Sequence, residues 1–172
     1  PGFLTITPNN PGAHAAIPDI NLHLYETYID GIRTLAVAFS GTKFSLQDPL
    51  DLVTQTVQWA DLYADFRPTL ALALEWAEDD QPAGADPFGK LLVTGHSLGG
   101  IMVEEFLSDQ SMYSSSSLAR GASAITFGSP GSPNYNSDVI DPGRLTNFVN
   151  LGDPVAMLSS GGFFDIFKPE PD

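Results

Sequence analysis

Apolar residues along the chain form short continuous runs of strand length and longer stretches with helical spacing. The continuous runs are typical of strands that are covered on both faces; they are Ile32–Phe39, Lys90–Thr94, Ser123–Phe127 and Leu145–Asn150. Apolar residues at steps of three or four predict helices over Asp48–Phe66 and, beyond Pro68, over Thr69–Glu78. This alternation predicts an α/β fold with a mostly parallel sheet and helices on both faces.

Turn-forming residues mark the connections between these elements. Residues 1–20 contain Pro1, Pro8, Pro11 and Pro18, which predict an irregular N-terminal segment. The serine run Ser114–Ser117 and the stretch Gly128–Gly143 are predicted loops. No internal repeat divides the chain, and 172 residues suit one domain, so residues 1–172 are predicted to form a single domain.

Charge and composition exclude several classes of function. The chain has 21 acidic and 7 basic residues, a net charge of −14, and 42% apolar residues, which indicates a folded acidic globule. So few basic residues cannot neutralise a phosphate track, which argues against nucleic acid as a partner. No apolar run approaches the roughly 18 residues of a membrane span. Without cysteine, disulfides, zinc–thiolate sites and thiol nucleophiles are excluded.

The acidic balance has two interpretations that composition does not separate. Net charge improves solubility, and it also suits a secreted protein that uses calcium or lives in salt. The acidic stretch Glu78–Asp86 lacks the alternating ligand spacing of known calcium loops, which favours a solvated connection. We expect no metal site and no cofactor, with calcium left open.

The most informative motif is Gly95-His96-Ser97-Leu98-Gly99, which matches G-x-S-x-G. An apolar run enters the motif and a helical pattern, predicted to continue to about Leu107, leaves it. A serine on such a sharp turn adopts strained backbone angles, and Cβ atoms two residues to either side would collide with neighbouring elements. The motif therefore predicts an exposed nucleophilic serine, or else a glycine-rich turn. On so sharp a turn the side chain of His96 should diverge from that of Ser97.

Together with three other segments, the motif resembles the class 3, fungal-type lipases of the α/β-hydrolase fold. It is also similar to bacterial lipases that are secreted with calcium-binding repeats. The segments that carry the resemblance follow the family's order; they are Leu35–Thr42, Lys90–Gly100, Ala124–Pro130 and Asn147–Pro154. Ser40 departs from the family, whose members commonly have arginine at that position.

The resemblance assigns roles to four residues of this chain. Ser97 would be the nucleophile, and Asp153 the acid that orients a histidine. The backbone N–H groups of Leu98 and Thr42 would form the oxyanion hole. Asp138, Asp141 and Asp165 compete with Asp153 for the acid role.

The histidine that this family places after its acid is missing from the sequence. The histidines of the chain are His14, His23 and His96, all before Asp153. Three explanations stay open: a chain truncated at its C-terminal end, an inactive homologue, or His14 or His23 acting as an unusual base. The linker-like segment Lys168–Pro171 and the absence of an initiator Met favour truncation, so we expect an incomplete catalytic domain.

The expected function is hydrolysis of carboxylic esters by a secreted lipase or carboxylesterase through an acyl-enzyme on Ser97. A lipid or ester is the implied substrate, with transient contact to a lipid interface and a role in lipid degradation. The alternatives are a non-catalytic binding domain, and a phospholipase or acyltransferase on the same scaffold. The cluster Phe163, Phe164, Ile166 and Phe167 is open between core packing and an acyl-chain wall or lid.

Overall fold

The computed structural model describes residues 3–6, 21–41, 49–132 and 141–150. Its strands are β1 (Phe3–Ile6), β2 (Leu22–Ile29), β3 (Ile32–Phe39), β4 (Lys90–His96), β5 (Ser123–Phe127) and β6 (Leu145–Phe148). Its helices are α1 (Pro49–Glu78), α2 (Gly99–Ser108), α3 (Gln110–Ser115) and α4 (Ser117–Arg120), with a short 3-10 turn at Pro142–Arg144. Thr42, Asp153, His14 and the cluster around Phe164 lie outside the described residues.

The strands form one six-stranded sheet in the order β1-β2-β3-β4-β5-β6. The pairings of β1 with β2 and of β2 with β3 are antiparallel, whereas β3 to β6 run parallel. Val37 pairs with Val93, and Val93 pairs with Ala124, so the buried apolar runs lie side by side at the centre of the sheet. The predicted α/β class and the mainly parallel sheet are confirmed.

The antiparallel part of the sheet is the part that the apolar runs do not predict. β1 lies inside residues 1–20, so the prediction that this whole segment is irregular is wrong at Phe3–Ile6. β2 and β3 are joined by a two-residue turn in which both Asp30 (φ 54°) and Gly31 (φ 76°) are left-handed. Left-handed angles at both central residues define the type I′ hairpin, for which Asp-Gly is a preferred sequence. The Asp30-Gly31 pair is therefore the missed signal.

Helix α1 is continuous through Pro68, where the sequence predicts two separate helices. Proline removes one hydrogen bond to the carbonyl four residues earlier, which here belongs to Ala64. Both Pro68 and Ala64 lie on the exposed side of the helix. The orphaned carbonyl can therefore bond water, and packing of the opposite side keeps the helix in one piece.

The core lies between α1, α2 and one face of the sheet. α1 contributes a stripe of buried side chains at helical spacing, which are Leu62, Phe66, Leu70, Leu74 and Ala77. The ring of Phe66 meets the ring of Phe39 edge to face, with centroids 6.0 Å apart. The sequence predicts helices on both faces; the described helices pack on one face only. The cause is the handedness of the connections, because right-handed crossovers between successive parallel strands place their helices on the same side.

The serine run, a predicted loop, is instead the junction of two short helices. α3 ends at Ser115 and α4 begins at Ser117. The Ser116 hydroxyl between them accepts a hydrogen bond from the N–H of Ala119, at 3.0 Å. Serine is a preferred residue at a helix start for this reason.

Candidate active site

Ser97 stands at the sharp turn between the end of β4 and the start of α2. Its φ is +54°, a left-handed conformation that costs a non-glycine residue about 1–2 kcal/mol. The N–H of Ser97 donates to the carbonyl of Phe127 on β5 at 2.8 Å, and its carbonyl accepts from the N–H of Gly100 at 2.9 Å. The neighbouring strand and the following helix therefore hold the turn in its strained form.

Close backbone packing around the turn explains why a glycine lies two residues before Ser97, at Gly95, and another two residues after it, at Gly99. A Cβ atom on Gly95 would lie 2.3 Å from the carbonyl oxygen of Gly99, and one on Gly99 would lie 2.4 Å from the carbonyl oxygen of Phe39. Both contacts are with backbone, which cannot rotate away. Strand β4, helix α2 and the end of β3 thus meet with no room for side chains.

The end of β3 also approaches the serine itself. A Cβ atom on Gly41 would lie 2.6 Å from the carbonyl oxygen of His96 and 3.3 Å from the Cβ of Ser97. Gly41 is the last described residue before Thr42, the predicted oxyanion donor. The structure thus brings the backbone that leads into Thr42 beside Ser97, while Thr42 itself lies outside the described residues.

The start of α2 gives the serine a locally positive environment. Leu98, the other predicted oxyanion donor, directly precedes the helix, and its side chain is fully buried. Among the described hydrogen bonds, none uses the N–H of Leu98 as donor. The unpaired N–H groups of a helix N-terminus favour negative charge, so this end of α2 can stabilise an oxyanion that develops next to Ser97.

In the described part of the chain, neither His23 nor His96 is hydrogen-bonded to the Ser97 hydroxyl. His96 is exposed, and no hydrogen bond joins its side chain to the serine hydroxyl within that part of the chain. His23 lies on β2, in line with Ala38 of β3 and Thr94 of β4, its ring 6.3 Å from that of Tyr25. His14 lies outside the described residues.

The predicted acid, Asp153, follows β6 and also lies outside the described residues. β6 pairs in parallel with β5, and β5 with β4. The carboxyl ends of these strands therefore lie at one edge of the sheet, and β6 delivers the chain to the edge that carries Ser97. What the structure brings together is the serine, the start of α2 and the ends of β3, β5 and β6.

A buried carboxylate that sequence reasoning missed lies close behind this edge. The side chain of Glu104 on α2 is only 4% exposed. Its carboxylate accepts a hydrogen bond from the Ser129 hydroxyl at 2.9 Å and another from the N–H of Ser132. Ser129 in turn makes two hydrogen bonds with the side-chain amide of Asn147 on β6. The N–H of Ser129 donates to the Asn147 Oδ1 at 3.4 Å, and the Asn147 Nδ2 donates to the carbonyl of Ser129 at 3.3 Å. Glu104 thus connects α2 to the loop after β5 and, through Ser129, to β6.

Burial raises the pKa of Glu104 above its ordinary value. The hydrogen bonds from Ser132 and Ser129 oppose this rise, and the negative charge of Glu105 adds to it. The sequence does contain a signal for this buried carboxylate, because the pair Glu104-Glu105 interrupts the apolar stretch of α2. A carboxylate within an otherwise buried helix calls for dedicated hydrogen-bond donors.

The acidic stretch Glu78–Asp86 is the sequence candidate for calcium. Within it, the carboxylate of Glu78 accepts hydrogen bonds from the Ser117 hydroxyl and, at 2.9 Å, from the N–H of Leu118 at the start of α4. The carboxylate of Glu78 therefore binds the start of α4 through these hydrogen bonds. In the described parts of the chain, no group of three His, Cys, Asp or Glu residues is placed to hold a metal ion.

Comparison with family models, with curated proteins and with solved structures finds no match to this chain. Among the helices that the structure describes, none is long and apolar enough to cross a membrane. The class that fold and site define is an α/β protein with a strained serine at a strand–helix turn.

The strain at Ser97 has a measurable consequence for stability. Glycine adopts positive φ at no steric cost, so Ser97→Gly should be more stable than Ser97→Ala by about 1 kcal/mol. Urea unfolding of both variants beside the parent protein measures this difference. Equal stabilities of the two variants would mean that the left-handed angle at Ser97 carries no strain.

Proposed function

We propose that this chain carries the nucleophile-bearing core of an α/β-hydrolase that cleaves carboxylic esters, as a lipase or carboxylesterase. The observation that carries the proposal is the left-handed Ser97, held between β4 and α2 by backbone contacts at Gly95 and Gly99. An ordinary glycine-rich turn has no need to place serine at the strained position. Strain of this kind is concentrated at functional sites.

The geometry supports separate roles in ester cleavage for the Ser97 hydroxyl and for the backbone N–H groups beside it. The Ser97 hydroxyl attacks the ester carbonyl, the acyl C–O bond breaks, and the alcohol leaves with the proton from the serine; water then hydrolyses the acyl-enzyme and releases the carboxylic acid. The N–H of Leu98, aided by the positive end of α2, stabilises the oxyanion of the tetrahedral intermediate. Thr42, which follows Gly41 beside Ser97, is proposed as the second donor.

The acid and the base complete the proposed mechanism. Asp153 is proposed to orient a histidine and to stabilise its imidazolium form. No histidine follows Asp153 in the sequence. Without that histidine, the proposed site consists of a nucleophile and oxyanion donors. Such a site keeps only the residual catalysis that the donors and substrate binding provide. We therefore expect ester turnover by this chain to be slow and covalent capture of Ser97 to be the clearer readout.

The substrate class follows from the resemblance and not from a described pocket. A lipid or another carboxylic ester is proposed, with secretion and transient contact with a lipid interface as parts of the same proposal. Phospholipase and acyltransferase activities use the same acyl-enzyme chemistry, and the fold does not distinguish them.

A fluorophosphonate probe tests the proposal directly. The probe phosphonylates a serine whose surroundings stabilise a developing oxyanion, so Ser97 should take up the label. Mass spectrometry of the digested protein locates the modified serine. Ser97→Ala should lose the label completely, whereas the matched variant Ser114→Ala, which removes an exposed serine on α3, should keep it.

Two results would count against a hydrolase. Labelling of Ser114 to the same extent as Ser97 would mean that Ser97 is not activated. No labelling at Ser97 even after prolonged incubation with excess probe, in a protein that unfolds cooperatively, would favour the non-catalytic binding domain, in which Ser97 is only a turn residue.

A further inference from the structure

The two faces of the sheet are in very different environments. On the face that packs against α1 and α2, Leu35, Val37, Leu91, Val93 and Ala124 are each at most 3% exposed. Their immediate neighbours along the strands point to the opposite side, because successive side chains alternate between the two faces. We call this second side the open face.

The open face is largely apolar and aromatic toward the carboxyl ends of the parallel strands. That region carries His23, Tyr25, Ala36, Ala38, Leu92, Thr94, the exposed His96, Ile125, Phe127, Thr146 and Phe148. Tyr25 is 39% exposed, Phe127 47% and Phe148 56%. The rings of Phe127 and Phe148 stack on each other, with centroids 5.5 Å apart and planes 17° from parallel.

The topology explains why the described helices leave this face uncovered. β3, β4, β5 and β6 follow each other in the same order along the chain and across the sheet. Right-handed crossovers between strands in this order place every connecting helix on one side. The part of the chain that follows β6 does not connect two of these parallel strands. It is therefore not restricted to the side of the connecting helices and can reach the open face.

The character of the open face indicates that it is covered in the folded protein. Parallel sheets are found almost only with both faces covered. The chain carries 21 acidic residues, yet the one carboxylate within the described strands, Glu26, lies on the other face and is paired with Arg33 at 2.8 Å. Lys90, at the amino end of β4, is 3.5 Å from Asp30 of the hairpin turn. A surface without acidic side chains in so acidic a chain is suited to burial.

We propose that residues 151–172 cover the open face over β5 and β6, through the apolar cluster Phe163, Phe164, Ile166 and Phe167. This segment begins three residues after Phe148, the last residue of β6. Extended chain advances about 3.3 Å per residue, and strands are spaced about 4.8 Å apart, so the segment is long enough to cross the face more than once. The cluster supplies the aromatic and aliphatic side chains that such burial uses. The inference does not depend on the proposed function.

The absence of cysteine makes this proposal testable by cross-linking in the full chain. Thr146→Cys places a thiol on the open face at an exposed position, and Ser160→Cys places another just before the apolar cluster. Leu72→Cys is the matched control for Thr146→Cys, because Leu72 is 65% exposed on α1, on the other side of the sheet. Each double variant is treated with a short bis-maleimide, and monomers with an internal cross-link are quantified by mass spectrometry.

If residues 151–172 cover the open face, the thiols at positions 146 and 160 should form internal cross-links about tenfold faster than the thiols at positions 72 and 160. The reason is that the covering segment holds the first pair close together, which raises the effective concentration of one thiol near the other. Adding Phe163→Ser and Phe164→Ser should remove this preference while the protein still unfolds cooperatively. Equal rates for the two double variants, or a preference that survives the serine substitutions, would overturn the proposal. Cross-linked dimers of the single variant Thr146→Cys would also overturn it, because a second copy of the chain would then occupy the open face.

Discussion

Replacing Gly95 with alanine is expected to lower the free energy of unfolding by about 3 kcal/mol, the upper part of the usual range for overpacking. The added Cβ would lie 2.3 Å from the carbonyl oxygen of Gly99 and 2.8 Å from the nitrogen of Gly100. Relief of these contacts requires α2 to move away from β4. Because α2 begins directly after Ser97, the movement should also abolish fluorophosphonate labelling. Chemical denaturation and labelling of the same preparation measure both effects.

Gly121 provides the matched control for this substitution. An added Cβ there would come no closer than 3.6 Å to its neighbours, an ordinary contact, and φ is −91°. Gly121→Ala should therefore change stability by less than about 1 kcal/mol. If Gly95→Ala proved as stable as Gly121→Ala, the close packing of β4 against α2 would be refuted.

Replacing Glu104 with alanine is expected to destabilise the protein by about 2–3 kcal/mol. The change leaves a cavity in a buried region, and the N–H of Ser132 and the hydroxyl of Ser129 lose their acceptor. Because Ser129 also bonds Asn147, the loop after β5 and strand β6 should both loosen. Hydrogen exchange of the amides of Ser129 and Ser132 in the variant and the parent measures this local effect.

Glu104→Gln separates the charge of this side chain from its shape. Because the pKa of Glu104 is raised in the folded protein, the folded state binds a proton more tightly than the unfolded state does. Stability from this group is then fully present below the unfolded pKa and is lost as pH rises through the folded pKa. Glutamine keeps an acceptor for Ser132 and carries no charge. The stability of Glu104→Gln relative to the parent should therefore increase as the pH rises from about 4 to 8.

The pH dependence expected for Glu104→Gln also depends on the charged groups near Glu104, which influence its pKa. Glu105, its neighbour, raises the pKa further, and Ser132 bonds both carboxylates. The described cations bond elsewhere: Arg33 to Glu26, Arg67 to Asp109, Lys90 to Asp30, Arg120 to the carbonyl of Tyr113, and Arg144 to the carbonyls of Ala119 and Ala122. A stability difference between Glu104→Gln and the parent that stays constant over that pH range would contradict the raised pKa.

The central elements of the fold were predictable because their signals are local. β3 and β5 have the predicted bounds, and the strand predicted to end at Thr94 continues to His96. β6 ends at Phe148, two residues before the predicted end. The helix predicted to run to about Leu107 ends at Ser108. Continuous apolar runs bounded by turn residues carry this information without reference to the rest of the chain.

Other elements depended on context that no local pattern contains. β2 lies near the edge of the sheet, where half-exposed side chains blur the apolar signal. Pro68 interrupts the helical pattern, and only burial of the other side of α1 keeps the helix whole. The role of Glu104 depends on Ser129 and Ser132, which lie 25 and 28 residues further along the chain.

The candidate site divides in the same way. Its serine was found from Gly95, Ser97 and Gly99 because the demands of a sharp turn are local: strained angles and missing side chains. The donor at Thr42 and the acid at Asp153 remain predictions from resemblance, since both lie outside the described residues.

The amino-acid order alone was enough to predict an α/β fold, its parallel strands and the turn that carries Ser97, because those depend on the polarity and size of neighbouring residues. Three features came to light only in three dimensions: the close approach of Gly41, at the end of β3, to Ser97, the burial of Glu104 against the loop after β5, and the packing of the described helices on one face of the sheet. These features arise from contacts between residues far apart in the chain and from the handedness of the crossovers. Neither leaves a periodic trace in the sequence.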